Sequence, residues 1–117
     1  PVYGPASSAA LKRCLLEGSV VACEVVWAEV AVAYGHAAEE ALAALTGIGI
    51  QFSSMSLEAA LEASKCWSDY LRKGRGRKRI AADFLIGGHA LKQCERLLTR
   101  DKGFYRSYFK TLRIECP

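Results

Sequence analysis

Three acidic residues stand where carboxylates are expensive. Glu29 lies within "EVVWAEVAVA", Asp83 within "AADFLIGG", and Asp101 follows the apolar pair Leu97–Leu98 in "RLLTRDKGFYRSYF". A charge on a mostly apolar helix is costly to bury unless something pairs with it. Each acid also has a plainer use. Glu29 could pair with one of the many arginines, Asp83 could cap a helix that starts at Phe84, and Asp101 could cap the short helix after it. Taken together they suggest a different chemistry. Carboxylates gathered at one point repel, and a divalent cation relieves the repulsion; an all-oxygen set suits Mg²⁺ or Mn²⁺. The position of Asp101 just past a strand is where open α/β sheets place ligand sites.

The remaining reactive residues offer less. The five cysteines, at 14, 23, 66, 94 and 116, are odd in number and form no CxxC pair. That argues against a disulfide framework or a zinc knuckle and suits small core residues in a reducing cytoplasm. His36 and His89 read as surface or packing residues. The aromatic set Phe104, Tyr105, Tyr108 and Phe109 reads as core or dimer packing rather than base stacking. Net charge is +4, and "RKGRGRKR" (72–79) carries six of the sixteen basic residues. Such a run is either a solvated linker between helices or a phosphate-contacting loop.

These residues need elements to hold them. The 117-residue chain, 51% hydrophobic, suits one domain with a real core, and no run is long enough to span a membrane. Capping and periodicity predict helices over 5–18 (capped by Ser7 or Ser8), 24–35, 37–47 (closed by Gly47) and 56–74 (capped by Ser56), one more helix or a short turn and then a helix over 79–94, and a short helix or turn over 102–109. The 56–74 helix shows apolar residues at 57, 60, 61, 67, 70 and 71. Short runs at 19–23, 48–52, 96–99 and 111–115 read as strands. Strands alternating with helices predict an α/β domain with a mostly parallel sheet.

"AADFLIGGHAL" followed by "RLLTRDKGFYRSYFKTLRIECP" resembles the C-terminal half of PIN-domain ribonucleases, in particular the VapC-type toxins of toxin–antitoxin pairs; "EVVWAEV" resembles the family helix that carries its second acid. The 18 residues between Asp83 and Asp101 suit the family. The resemblance implies a PIN-like three-layer fold, a central, mostly parallel sheet flanked by helices, over the single domain 1–117. It implies that Glu29, Asp83 and Asp101 are three of four metal-binding acids and that Thr99 is the hydroxyl residue supporting the last one. It further implies a cytoplasmic Mg²⁺- or Mn²⁺-dependent endoribonuclease, homodimeric and held inactive by a cognate antitoxin. Arg100, Lys102 and Arg106 near the acids, with Arg75, Arg77 and Lys78 of the basic run, are then the expected RNA contacts. The family's first acid, in an N-terminal "DTS"- or "DSS"-type strand, has no match here; the first acid of this chain is Glu17. The expectation is therefore a domain lacking that strand, with a natural protein extending upstream by about 10–20 residues, a strand of about 5–6 plus a turn and a short helical piece. A PIN-like module that binds an antitoxin or RNA without cutting is the competing expectation. A small redox or zinc protein fails on cysteine spacing.

Overall fold

The computed structural model describes residues 4–35, 37–74 and 81–117. The chain forms two compact units, residues 1–54 and 55–117.

The first unit runs α1 (Gly4–Glu17), β1 (Val20–Ala22), α2 (Glu24–Ala33), α3 (Ala38–Ile48) and β2 (Ile50–Phe52). Parallel strands need a long crossover, and here α2 and α3 supply it. β1 and β2 pair in parallel with Val20 opposite Ile50 and Ala22 opposite Phe52. The ladder extends one bond further, from the Ser53 N–H to the Ala22 carbonyl at 3.0 Å. The Trp27 indole N–H donates to the same carbonyl at 2.9 Å, which fixes the start of α2 on the end of β1. Ala10, Ala22, Cys23, Ala41 and Leu45 are buried.

Two boundaries in this unit differ from the sequence reading. α1 begins at Gly4, so Ser7 and Ser8 lie inside it and do not cap it. Gly47 lies within α3; the helix closes at Gly49, whose φ of 109° is the left-handed conformation that stops helices, its N–H donating back to Leu45 and Thr46. The alternating Gly47-Ile-Gly49 spacing offers two stops, and only the second takes a positive φ.

The second unit runs α4 (Leu57–Arg72), α5 (Ala81–Gln93), β3 (Arg96–Leu98), α6 (Lys102–Tyr108) and β4 (Arg113–Glu115). Ser56 caps α4, its side chain accepting from the Ala59 N–H at 3.1 Å. The Ser56 N–H donates to Gln93 Oε1 at 2.9 Å, so the start of α4 meets the end of α5 and the two helices run antiparallel. β3 and β4 pair in parallel, Leu97 opposite Ile114, and Arg96 reaches Glu115 at 3.0 Å across the pair.

The face that α4 buries is not the one its large apolar residues suggest. Ala59, Ala63, Cys66 and Tyr70 are buried, whereas Leu57, Leu61 and Leu71 are exposed. The cause lies on α5. A side-chain carbon on Gly88 would collide with the Ala59 carbonyl oxygen and meet the Ala63 Cβ at 3.0 Å. The two backbones approach so closely that only small residues fit between them. Next to this seam sits an aromatic core. Phe84 is fully buried, with ring centroids at 6.0 Å from Trp67, 5.4 Å from Tyr70 and 5.2 Å from Phe104. Phe104, Tyr105 and Phe109 are buried as well, so the reading of this set as core holds for them.

The strand pairs of both units are parallel and connected through helices, so the α/β class expected from the sequence is found.

Candidate functional site

Asp101 is placed by a chain of backbone bonds. The β3–β4 ladder continues past Leu98, with the Thr99 N–H donating to the Glu115 carbonyl at 3.0 Å. Thr99 Oγ1 then accepts the N–H of Asp101 at 3.1 Å. This short turn stops the strand and sets Asp101 at its C-terminal end, half-buried, directly before α6. Asp101 occupies the N-cap position of α6, yet no side-chain hydrogen bond caps the helix. The plain capping use is therefore not the one observed.

Asp83 sits in the first turn of α5, half-buried. α5 starts at Ala81, ahead of it, so Asp83 is a helical residue and not the cap of a helix beginning at Phe84. Its neighbour Phe84 packs edge-on against Phe104, three residues past Asp101. That ring contact links the first turn of α5 to the first turn of α6. The ring of Phe109 fits against Gly87, where a side-chain carbon would stand 2.5 Å from it. Phe84, Gly87, Gly88 and Phe104 fix how α5 packs on its neighbours, and sequence reasoning did not single them out. The signal available was the Gly87-Gly88 pair inside an otherwise good helix, which marks a close approach.

Glu29 belongs to the first unit, on α2, and is exposed. α2 buries none of its residues despite its apolar sequence. The expectation that Glu29 faces a desolvation cost is thus corrected: exposure, not pairing in a core, carries its charge. Within each unit taken alone, no three His, Cys, Asp or Glu side chains among the described residues gather as a metal cluster.

Basic residues surround the second-unit acids in sequence and lie on the surface. Arg100, Lys102 and Arg106 are all exposed. Arg75, Arg77 and Lys78, as well as His36, lie outside the described residues. His89 is buried, its Nδ1 3.9 Å from Cys94 Sγ, which fits the packing role expected of it. All five cysteines are free thiols. Cys66 donates to the Tyr108 carbonyl at 3.1 Å. Burial, then the charges of Glu62 and Asp69, push its pKa up to about 11, so it stays a protonated donor near neutral pH.

The fold is α/β with parallel strand pairs, and it carries one acid just past the end of a strand and another in the first turn of a helix. The PIN domain family profile matches residues 4–110, and the chain belongs to the PIN domain family. PIN domains are generally nucleases and typically use a divalent metal. Among solved structures, the chain is similar to one described as VapBC2 from Rickettsia felis bound to a DNA fragment from their promoter. The TM-score is 0.68 and the identity 19%, over 91% of this chain and 80% of that one. No curated protein sequence matches the chain.

The donor set fits a hard divalent cation. Asp83, in the first turn of α5, and Asp101, at the N-cap of α6, offer only oxygen, the donor type such a cation takes.

Proposed function

We propose that the chain is a metal-dependent endoribonuclease, the toxin of a toxin–antitoxin pair, in which Glu29, Asp83 and Asp101 ligate Mg²⁺ or Mn²⁺. The observation that supports the reading is the Phe84–Phe104 contact between the two helices whose starts carry Asp83 and Asp101, in a member of the PIN domain family. When bound, a divalent ion polarises a phosphoryl oxygen and lowers the pKa of a coordinated water. The chain's own residues supply the rest. Thr99 positions Asp101 through its backbone. Arg100, Lys102 and Arg106 hold the substrate backbone beside the acids, and Arg75, Arg77 and Lys78 add sequence-independent affinity. Anionic ligands and cationic phosphate contacts thus serve one reaction, which accounts for a carboxylate set among so many positive charges.

The restraining partner is a separate antitoxin protein, and the active species is a homodimer. Support for the antitoxin comes from the fold shared with the Rickettsia felis VapBC2 structure; the dimer rests on the family resemblance, and sedimentation of the purified chain checks it. The alternative, a module that engages RNA or an antitoxin without cutting, differs in a single readout.

The test is cleavage of a structured single-stranded RNA with and without Mg²⁺ or Mn²⁺. Cleavage should depend on the metal. Asp101→Asn should lower it by more than about 100-fold, beyond the 10–100-fold typical of losing a mere support of a metal ligand, while the protein stays folded. Binding without cleavage by the wild type selects the alternative; equal cleavage by wild type and variant removes Asp101 from the site.

A further inference from the structure

The second unit contains a cleft of about 310 Å³, at the lower end of the size range of ligand pockets. One wall is α4, the other the stretch from Ser107 to Thr111 that ends α6, with Leu91 of α5 at its side. It therefore lies at the ends of α5 and α6 opposite to Asp83 and Asp101. Along α6 the helix residues Lys102 to Arg106 separate Asp101 from Ser107, the first lining residue of that helix, a rise of about 9 Å at 1.5 Å per residue.

Two carboxylates line this cleft, and both already have cations. Glu62 faces Lys65 and Lys92, each at 3.8 Å, and Asp69 pairs with Arg72. Two lysines of the lining have no such partner. Among the described residues no carboxylate forms an ion pair with Lys73 or Lys110. The Lys73 ammonium sits 5.6 Å from the centre of the Tyr108 ring, so the ring face holds it at the cleft without neutralising it. The Tyr108 carbonyl, which would repel an anion, is occupied by the Cys66 thiol. Charge left over in the cleft is thus positive and sits on two separate elements.

We propose that this cleft is a second backbone-phosphate site, in which Lys73 and Lys110 hold a phosphodiester of single-stranded nucleic acid at a distance from the carboxylates. The proposal rests on the nuclease reading for its substrate class. A polyanion suits it better than a single carboxylate group does, because the chain continues from Lys73 through Gly74 into a segment with four more basic residues. A strand held at both places would be anchored on either side of one helix, which gives the substrate a direction relative to the acids.

The experiment uses the full chain in metal-free buffer with a single-stranded RNA oligonucleotide, and measures binding as a function of salt. Removing one phosphate-neutralising cation lowers the log–log slope on a single strand by about 0.7. K73A/K110A should lose up to about 1.4 in slope, while K73R/K110R, which keeps both charges, should retain the wild-type slope. The single Lys110→Gln, at an exposed position, should lose about half as much and guards against a folding defect in the double variant. An unchanged slope in K73A/K110A overturns the proposal, as does an equal loss in K73R/K110R or the absence of RNA binding by the wild type. Polyglutamate is the control anion. Weakened polyglutamate binding with an unchanged RNA slope would overturn the proposal in favour of an acidic peptide. Cleavage of the same RNA with Mg²⁺ is scored separately. Slope loss without wild-type cleavage refutes the nuclease reading and leaves the phosphate site standing; cleavage without slope loss does the reverse.

Discussion

At Thr99, a single hydroxyl connects a strand to an acid. It accepts the Asp101 N–H, and the same residue's backbone N–H closes the β3–β4 ladder. Thr99→Val keeps the shape and the ladder but leaves that amide without its acceptor, at a stability cost of about 1 kcal/mol. Because Thr99 positions Asp101, the variant should also lower metal affinity by about 10–100-fold, with Ser restoring it; calorimetric metal titration reads both. Metal affinity unchanged in Thr99→Val would make the hydroxyl structural only. Cys66 allows a test of a different kind. Its thiol is pushed from an ordinary 9.0 to about 11, chiefly by burial. The neutral thiol is favoured in the folded state, so this stability is fully present below pH 9 and is lost as pH rises towards 11. Unfolding wild type and Cys66→Ala side by side should show their stability difference narrowing across that window, and a constant difference would refute the buried-thiol account.

The packing of α4 on α5 shows how much of an element the sequence can and cannot disclose. The existence and ends of α4 were legible, because Ser56 is a strong cap and the apolar spacing is helical. Its buried face was not. Periodicity weights large side chains, and here the seam is made of Ala59, Ala63 and Gly88, which carry almost no hydrophobic signal. The same limit applies to α2, whose apolar sequence reads as buried although none of its residues is. Strand positions were right to within two residues, whereas the acids' neighbours Phe84 and Phe104 needed tertiary packing to be recognised. The half-buried settings of Asp83 and Asp101 were legible from their apolar neighbours; the exposure of Glu29 was not. Two glycine substitutions separate seam from surface. Gly88→Ala gains helix propensity but drives a methyl into a main-chain carbonyl that cannot rotate away, so overpacking should win, with a net loss of about 1–3 kcal/mol. Gly47→Ala, inside α3 with nothing within 4 Å, should gain up to about 1 kcal/mol. Urea midpoints with unchanged slopes would report both, and equal shifts of the same sign would disprove the close-seam explanation.

For the molecule as a whole, the question is whether acids from two units act as one. Glu29 belongs to the first unit, Asp83 and Asp101 to the second. Sharing a cation would make the metal-dependent gain in stability depend on acids of both units. A ligand that binds only the folded state stabilises it by RT ln(1 + [L]/Kd), about 2.7 kcal/mol at a hundredfold excess over Kd. The wild type should therefore melt higher as Mg²⁺ or Mn²⁺ is added. Glu29→Gln, Asp83→Asn and Asp101→Asn should each remove most of that rise. Pairs of substitutions spanning both units should do little more harm than either alone, because the first already breaks the shared site. Without metal the order reverses: each neutralised acid should leave the protein as stable as the wild type or slightly more so, since gathered carboxylates repel when no cation separates them. If Glu29→Gln leaves the metal-dependent rise intact while Asp83→Asn and Asp101→Asn abolish it, the ion is held by the second unit alone and Glu29 has no part in the site. If the losses from Glu29→Gln and Asp101→Asn simply add, the two acids bind separate ions, and a common metal centre is excluded.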